Sequence, residues 1–355
     1  EETLKKANMT VYDVDAIAVT QKPGLLGSLL VGIEFAKVLS YVYNKPLIAV
    51  NHLIGHIYAN AINNKLEFPL LALVVSGGHT ELVIMKDDYD FEFLGGTLDD
   101  AIGEAYDKVA RILGIPYPGG PGIEKKALEG KVTYDFPRPV MDNTYNFSYS
   151  GLKSRIINVV HNEKQRGNVI READLAASFQ YVAIDELARK TDLALKNTGI
   201  KHVLVAGGVS ANKYLRSEIN KVAEKNDAKL SIPEFIYCTD NAAMIGAAAY
   251  PLYLKKEFLQ GHNRETYDKI MLVMDSIGLG IFTVVGVNTG ISHGYVDYMF
   301  LLVFLGTITG VGGGLLRDIM AGVPPYILVR HIYACASIVG AIVCVVLYRN
   351  FGAVV

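Results

Sequence analysis

The sequence has little cysteine and no excess of either charge. Its 355 residues contain three cysteines, an odd number without metal-type spacing, which argues against a disulfide framework and favours a reducing compartment. The formal net charge is -2, so the chain as a whole does not attract a polyanion such as nucleic acid. Any contact with nucleic acid must therefore depend on a local patch, for which the Lys- and Arg-rich residues 108–171 are the candidate.

Charge is nearly missing from the last quarter of the chain. Beyond residue 270 the only charged side chains are Asp275, Asp297, Arg317, Asp318, Arg330 and Arg349. Three apolar runs, about 271–291, 297–321 and 327–348, each approach or exceed the ~20 residues that a membrane-spanning helix needs. A very apolar protein core is the alternative. Basic residues between 255 and 269 precede the first run, which predicts that the preceding domain lies in the cytoplasm.

Strand and helix patterns alternate over the first 257 residues. The runs "DAIAVT", "PLIAV", "LLALVV" and "HVLVA" predict buried strands, and "EFIYC" is predicted as a further strand before Asp240. Helices are predicted over 99–113 and 152–197. This order indicates an α/β domain over 1–257 with its ligand cleft at the strand ends, then a polar linker at 258–269 and a membrane segment at 270–355.

Two histidines in "NHLIGHIYAN" are the first candidate site. His52 and His56 are four residues apart, so on a helix they share one face and have the spacing of a metal-binding pair for zinc or iron. Surface or packing roles are the common alternative for such a pair. Asp240 is the candidate third ligand, with an N-cap as its alternative role. A zinc peptidase would need Glu directly after the first histidine, whereas Leu53 stands there.

Two glycine turns are the second candidate element. The segments "VSGGHTE" and "AGGVSAN" lack the Walker pattern, but paired glycines let backbone amides approach phosphate oxygens closely. A tight turn without a ligand would contain the same residues. Two such turns in two α/β halves, next to a candidate metal site, predict a nucleotide bound between them.

Six segments then occur in an order that resembles the TsaD family of tRNA threonylcarbamoyladenosine transferases, once described as O-sialoglycoprotein endopeptidases. They are "NHLIGHIYAN", "LVVSGGHTELV", "DDAIGEAYDKVARILGIPYPGGP", "FSYSGLKS", "VAGGVSANKYLR" and "YCTDNAAMIG", and the resemblance covers residues 1–257. It implies an α/β, two-lobed actin/Hsp70-like ATPase fold. It also implies transfer of a threonylcarbamoyl group from threonylcarbamoyl-adenylate to the exocyclic amine of the adenosine beside the tRNA anticodon. The first lobe is expected to be incomplete, because the family's opening strand and acidic loop precede the first residue here.

The resemblance also implies a set of site residues. His52, His56 and Asp240 would bind one divalent metal ion, iron or zinc, and Glu124 would lie near the sugar of the adenylate. Mg²⁺ with ATP or AMP, and accessory proteins of the tRNA-modification complex, are further expectations. No side-chain nucleophile is implied. The remaining residues implied to hold the adenylate are Val74, Val75, Ser76, Gly77, Gly78, Asp107, Gly120 and Asn212.

The C-terminal quarter resembles a different family. The segments "MDSIGLGIFTVVGVNTGI" and "GTITGVGGGLLRDIMAGVPPYILVRHIYACASIVGAIV" are similar to one three-helix repeat of the bacterial glycine transporters, relatives of the trimeric intracellular cation channels. An all-α transmembrane three-helix segment in a lipid bilayer is therefore expected over 270–355, joined to a cytoplasmic catalytic domain. Metal-dependent threonylcarbamoyl transfer is the leading hypothesis for the chain. The alternatives are a transporter or channel subunit with a relic soluble domain, and a metallopeptidase.

Overall fold

A computed structural model describes residues 2–138, 143–259, 264–320 and 332–352 of the chain. The chain divides into two compact units, residues 1–259 and 260–355, and each is considered by itself.

The core of the first unit is a five-stranded mixed sheet. Its central strand, β3, is a run of six apolar residues that are all buried, as expected for a strand covered on both faces. β3 pairs in parallel with β6 and antiparallel with β4, and the strand order is β5-β4-β3-β6-β7. The strands are β3 Leu70–Val75, β4 Thr80–Asp87, β5 Asp90–Gly96, β6 His202–Ala206 and β7 Lys229–Ser231.

A smaller sheet of two parallel strands completes the strand structure that is described. β1 (Ile17–Lys22) pairs with β2 (Leu47–Asn51), and α2 (Leu26–Tyr43) is the crossover helix between them. Within the described residues, α2 is the one helix that is long and apolar enough to span a membrane by length and composition. Its Ala36 and Ser40 are buried, while most of its large side chains are exposed.

The helices of the first unit pack against both sheets, and α2 lies on the smaller one. The longest, α7, has a face of small and apolar residues that is almost wholly buried. The helices are α1 Glu2–Lys6, α2 as above, α3 His52–Tyr58, α4 Ile102–Ile112, α5 Gly119–Ala127, α6 Ser150–Gln165, α7 Glu172–Thr198, α8 Lys213–Lys225, α9 Phe235–Cys238 and α10 Ala242–Leu254. Single 3-10 turns occupy Val11–Asp13, Ala59–Ile62 and Gly208–Ala211.

Two sequence-based expectations about secondary structure were wrong. The predicted helix over 152–197 is two helices, α6 and α7, because Gly167 takes a φ of +75° and ends the first of them. The predicted strand "EFIYC" is the short helix α9. Pro233 lacks the N–H that a strand would need, and the Tyr237 N–H donates to the Glu234 carbonyl to close a helical turn.

The second unit contains three long helices in the described residues. They are α11 Arg264–Ser292, α12 Met299–Met320 and α13 Ile332–Phe351. α11 begins at Arg264, inside the segment predicted as a linker, and residues 260–263 of that segment lie outside the described residues. The three helices meet at small and hydroxyl side chains. The Thr283 and Ser337 hydroxyl oxygens are 2.7 Å apart, and both side chains are 2% exposed.

Close approach in the second unit depends on glycine. A Cβ on Gly310 would lie 2.3 Å from Thr283 Oγ1, and a Cβ on Gly286 would lie 2.6 Å from the Leu305 carbonyl oxygen. The Thr283 hydroxyl donates to the Leu279 carbonyl, so this buried polar group is hydrogen-bonded. The interior of this unit therefore combines close backbone contacts and a small polar centre with a buried apolar cluster of Val287, Leu302, Ala341 and Val345.

An ion cluster links α7 to α8, the helix that begins beside the candidate site. Asp192 accepts hydrogen bonds from Lys196 Nζ at 2.8 Å, Lys225 Nζ at 2.9 Å and Asn226 Nδ2 at 2.7 Å. Burial by itself would raise the pKa of Asp192, but these three donors outweigh it and lower the pKa from 3.8 to about 2. The carboxylate therefore stabilises the fold fully above pH 3.8, and this contribution is lost as the pH falls toward 2.

Replacing Asp192 with Asn should lower the free energy of unfolding of this helix pair by about 1–2 kcal/mol at neutral pH. The difference from the native chain should shrink as the pH falls below 3.8, because the native carboxylate then becomes protonated. Hydrogen exchange of the α7 and α8 peptides across a urea titration measures this without a contribution from the second unit. Glu218→Gln, which breaks the exposed pair with Lys221, is the control with little expected effect. A difference for Asp192→Asn that persisted unchanged at pH 2.5 would contradict the assignment.

Candidate metal centre and phosphate-binding cleft

The two histidines lie on the first two turns of α3, directly after β2. Asn51 caps this helix, since its Oδ1 accepts from the Leu53 N–H at 2.9 Å and the Ile54 N–H at 3.4 Å. The cap fixes where the helix begins and thereby which face His52 and His56 share. Their ring centroids are 4.8 Å apart, with the ring planes at 81°. His56 is 2% exposed, whereas the His52 side chain is 25% exposed.

Asp240 reaches the histidines from the loop between α9 and α10. Its Oδ1 is 3.2 Å from His52 Nε2 and 3.2 Å from His56 Nε2. The expected alternative role, capping of the following helix, is performed by Asn241, whose Oδ1 accepts from the Met244 N–H at 2.8 Å. The Asp240 carboxylate is therefore left to face the two imidazoles.

The donor set suits a borderline metal ion. In the part of the chain that the structure describes, His52, His56 and Asp240 are the one group of three such side chains whose ligand atoms all lie within 4.8 Å of one another. A tetrahedral ion with ligand distances of about 2.0–2.2 Å separates its donors by about 3.3–3.6 Å. The two nitrogen-to-oxygen distances of 3.2 Å are close to that edge length. Two imidazoles with one carboxylate are a known donor set for zinc and for iron.

Burial keeps one of the imidazoles in the form that binds a metal. Burial disfavours the charged ring and lowers the pKa of His56 below 6.5, the nearby His52 lowers it further, and Asp240 opposes both effects. A neutral ring offers a lone pair to a cation. Protons therefore compete less with a metal ion for the His56 ring nitrogen, because this side of the site is buried.

The three candidate ligands share a cleft with the first glycine turn. The cleft has a volume of about 1100 Å³, and His52, His56, Asp240 and residues 76–79 all line it. Within the turn, the Ser76 N–H donates to the His79 carbonyl and Ser76 Oγ accepts from the His79 N–H, so the loop is held by its own ends. Gly77 and Gly78 are exposed, and a Cβ on either would meet nothing within 4 Å. Their backbone is thus open to a ligand in the cleft.

The second glycine turn is pressed against the first. Gly207 has a φ of +94°, and a Cβ there would lie 2.3 Å from the Val75 carbonyl oxygen, so no other residue fits. The parallel pairing of β3 with β6 brings the ends of both strands to the same edge, and each turn begins there. Gly208 lines the same cleft as the histidines. The sheet therefore brings together two turns that are distant in sequence.

The remaining residues that the family resemblance implied lie on β3, α4, α5 and at the start of α8, and none of them lines this cleft. The side chains of Val74 and Val75 are 1% and 0% exposed within β3, so only their backbone is available to a ligand. Asp107 Oδ1 accepts from the Gly119 N–H at 2.7 Å, which fixes the start of α5 just before Gly120. Glu124 lines a second cavity of about 550 Å³.

Glu124 and Asn212 both contact the start of α8. Glu124 Oε1 accepts from the Lys213 N–H at 2.7 Å, and Asn212 Oδ1 caps the helix through the Leu215 N–H at 2.9 Å. Asn212 is 7% exposed, and its Nδ2 donates to Gln180 Oε1 at 3.0 Å. Glu124 therefore lines the second cavity, whereas Asn212 contacts Gln180, a side chain that also lines it.

Several cleft residues were not predicted from the sequence. His79 follows the first glycine turn directly, and its position in "SGGHT" was a signal that could have identified it. Tyr117 is 86% exposed and lines the cleft from the loop before α5. Gln180 and Lys213 line the second cavity, and only the three-dimensional structure places them there.

Two family models match the chain. The TsaD model, tRNA N6-adenosine threonylcarbamoyltransferase, matches residues 1–247, and the glycine transporter model matches residues 272–349. Both resemblances inferred from the sequence are therefore confirmed. The second match covers less than a quarter of the chain, so it shows only that this segment is similar to the glycine transporter family.

Curated relatives named tRNA N6-adenosine threonylcarbamoyltransferase match the first unit. The relative from Staphylococcus saprophyticus is 55% identical over 254 residues, which are 71% of this chain and 74% of the relative. The relative from Staphylococcus aureus strain Newman is 52% identical over 267 residues, 74% of this chain and 78% of that one. The relative from Staphylococcus haemolyticus is 54% identical over 254 residues, with shares of 71% and 74%.

Solved structures of HypF share the fold of the first unit. Full-length HypF in its phosphate- and nucleotide-bound form matches 71% of this chain with a TM-score of 0.53 and 15% identity. HypF from T. kodakarensis matches 74% with a TM-score of 0.56 and 17% identity. The chain spans 41% and 44% of these two proteins, and at such identity the likeness concerns the fold alone. The predicted fold class, a mixed α/β fold of the actin/Hsp70-like type followed by helices, is confirmed.

Structure and comparisons agree. The strand order and the two glycine turns are consistent with the family model over residues 1–247 and with relatives above 50% identity. The chain therefore belongs to the tRNA N6-adenosine threonylcarbamoyltransferase family, whose members are transferases that act on tRNA.

Proposed function

We propose that the first unit transfers a threonylcarbamoyl group from threonylcarbamoyl-adenylate to the exocyclic amine of the adenosine beside the tRNA anticodon, with one divalent metal ion at His52, His56 and Asp240. The observation that carries the proposal is the convergence of these three donors, 3.2 Å from carboxylate to each imidazole, in the cleft that also contains the first glycine turn. Iron and zinc are the candidate metals, because both accept this mixed nitrogen and oxygen donor set.

The chemistry requires no nucleophilic side chain. The adenosine amine attacks the carbamoyl carbon, a new C–N bond forms, the bond between that carbon and the phosphate oxygen breaks, and AMP leaves as the amine loses a proton. A bound metal would supply Lewis acidity toward the acyl-phosphate end of the substrate. The chain itself holds the two reactants in one cleft, which lowers the entropy cost of their encounter.

The adenylate is proposed to extend from the first cleft to the second cavity. The open backbone at Gly77 and Gly78 suits the phosphate, since amide N–H groups there can approach an anion without a side chain between them. Glu124 suits the sugar, because a carboxylate in that cavity can accept hydrogen bonds from ribose hydroxyls. Asp107 and Asn212 fix the segments that bear Gly120 and Lys213 and so shape the path between the two cavities.

For the second unit we propose a lipid bilayer as the surroundings. Its outer surface has many exposed apolar side chains, and its helices meet at close glycine contacts and at the Thr283 and Ser337 hydroxyls. A large exposed apolar surface is unusual for a protein in water, and small residues at helix contacts are typical of membrane bundles. α12 and α13, with 22 and 20 residues, match the ~30 Å of a hydrocarbon core. Exposed apolar side chains of this unit include Ile277, Ile281, Phe282, Val285, Phe300, Phe304, Ile308, Val339, Val343 and Val346.

The two other candidate functions have less support. A transporter or channel subunit rests on the match over residues 272–349 alone. A metallopeptidase would need a general base beside the first histidine, where Leu53 stands. We place the transferase unit in the cytoplasm, where its tRNA substrate and the expected accessory proteins of tRNA modification would be found.

Replacing both His52 and His56 with Ala should abolish metal content and threonylcarbamoyl transfer together, because a lone carboxylate does not retain a borderline metal ion. Metal content is measured by mass spectrometry of the purified full chain, and transfer by nucleoside analysis of tRNA. His161→Ala removes an exposed histidine outside the cleft and should change neither. Full transfer activity in the double variant would contradict the proposed role of the metal.

Gly78→Ala should weaken AMP binding by about tenfold, because a Cβ there would enter the cleft and displace one backbone contact of roughly 1–1.5 kcal/mol. The fold should be unaffected, since nothing lies within 4 Å of the added carbon. Calorimetric titration with AMP measures the affinity. Gly151→Ala, an equally open and exposed glycine on α6, is the matched control. Equal AMP affinity in both variants would remove the first glycine turn from the phosphate site.

The full chain expressed in bacterial cells should remain in the membrane fraction after an alkaline carbonate wash. A chain that ends at Leu259 should appear in the supernatant, because α2, although apolar, belongs to the small sheet of the first unit. Immunoblots of the two fractions distinguish these outcomes. Release of the full chain by carbonate would contradict the bilayer proposal, and retention of the shortened chain would assign the membrane contact to α2.

A further inference from the structure

We propose that Arg216 is a positioning residue that holds the Asp240 loop against the second glycine turn, and so sets the metal affinity of the site. The inference rests on the proposed metal role of His52, His56 and Asp240. It assigns a function to a side chain that lies on α8, outside the cleft lining, and that touches neither the imidazoles nor the Asp240 carboxylate.

The guanidinium of Arg216 contacts two separate parts of the chain, the turn at Ser210 and the segment 233–238. Its Nε donates to the Ser210 carbonyl at 2.7 Å, and one terminal nitrogen donates to the Pro233 carbonyl at 2.8 Å and to Cys238 Sγ at 3.1 Å. The guanidinium carbon also lies 4.1 Å from the centre of the Phe235 ring, within the range of a cation–π contact. Three of these four contacts hold residues 233–238 in place.

Asp240 depends on this segment for its position. Its side chain is 77% exposed, so packing contributes little to fixing it, in contrast with His56 at 2%. On its C-terminal side the loop is fixed by Asn241, whose Nδ2 donates to the Thr239 carbonyl at 2.8 Å and whose Oδ1 caps α10. Arg216 is the corresponding anchor on the N-terminal side. The carboxylate is thus placed between two hydrogen-bonded anchors.

The same guanidinium ties the metal loop to the glycine turn. Ser210 belongs to the 3-10 turn that follows Gly207, and Gly208 of that turn lines the cleft. An arginine is suited to this task because its rigid fork makes several bonds in one plane, whereas a lysine would offer a single flexible ammonium. Without the guanidinium the Asp240 loop is less ordered before the metal binds. The free energy needed to order the loop then weakens metal binding. Outer partners of metal ligands typically contribute 10–100-fold to metal affinity.

Coulomb's law predicts the opposite sign, which makes the inference testable. Removing a cation from the neighbourhood of a divalent ion should strengthen metal binding if charge alone matters. A positioning role predicts weaker binding. The direction of the change therefore separates the two effects before its size is considered.

The experiment is a zinc titration of the metal-free full chain against a chromogenic chelator, with Arg216→Met, Arg216→Lys and the control Lys221→Met. Lys221 is an exposed residue of the same helix and pairs only with half-buried Glu218 among the described contacts. We expect the dissociation constant for zinc to rise 10–100-fold in Arg216→Met and about tenfold in Arg216→Lys, with no change in Lys221→Met. Unchanged affinity in Arg216→Lys would overturn the inference. Near-UV circular dichroism of each metal-free variant identifies the temperature range in which the variant is folded, and the titrations are made in that range. Arg216→Lys keeps the charge and most of the side chain, so it provides the test if Arg216→Met does not fold.

A double-mutant cycle with Asp240→Ala supplies a readout that a merely structural role would not move. If Arg216 acts through Asp240, Arg216→Met should have no further effect on zinc affinity once the carboxylate is absent. An equal loss in both backgrounds would overturn the inference, as would tighter or unchanged binding in Arg216→Met. If the native chain binds zinc no better than the variant without His52 and His56, the proposed metal role fails instead.

Discussion

The parallel pairing of β3 with β6 is the constraint on which the candidate site depends. It brings the ends of two buried strands to one edge of the sheet, and a glycine turn follows each of them. Contact between the turns is so close that a Cβ on Gly207 would lie 2.3 Å from the Val75 carbonyl oxygen. Hydrophobic burial of the strands thus fixes the position of polar backbone groups that could not form a site by themselves.

The candidate metal centre depends on caps at helix ends. Asn51 caps α3 and so fixes the helix start from which His52 and His56 share one face. Asn241 caps α10, so the neighbouring Asp240 is not needed as the cap. Both asparagines satisfy backbone N–H groups that would otherwise lack a partner at the helix start. Two ordinary capping interactions therefore decide where three candidate ligands point, and the arginine on α8 adds a third fixed point.

Local patterns in the sequence were sufficient for the parts of the fold that depend on near neighbours. Most of the strands, the spacing of His52 and His56 and the glycine turns were predicted, because apolar periodicity and special residues act over a few positions. The strand predicted as buried at "DAIAVT" forms as β1, but its residues are half-buried or exposed. The strand expected at "EFIYC" was wrong, since Pro233 and contacts from another helix decide that conformation. The contacts of Gln180, Lys213 and Arg216 could not be predicted, because they join segments that only the tertiary fold brings together.

The exposed apolar face of α2 has a consequence for how membrane topology is assigned. By length and composition α2 resembles a span more closely than any other helix in the described residues, yet it connects two parallel strands of one sheet. A hydropathy count that included it would place a bilayer between β1 and β2, because these strands directly precede and follow α2. The pairing of β1 with β2 excludes such a crossing, so a correct topology for the transferase unit depends on recognising a single βαβ connection.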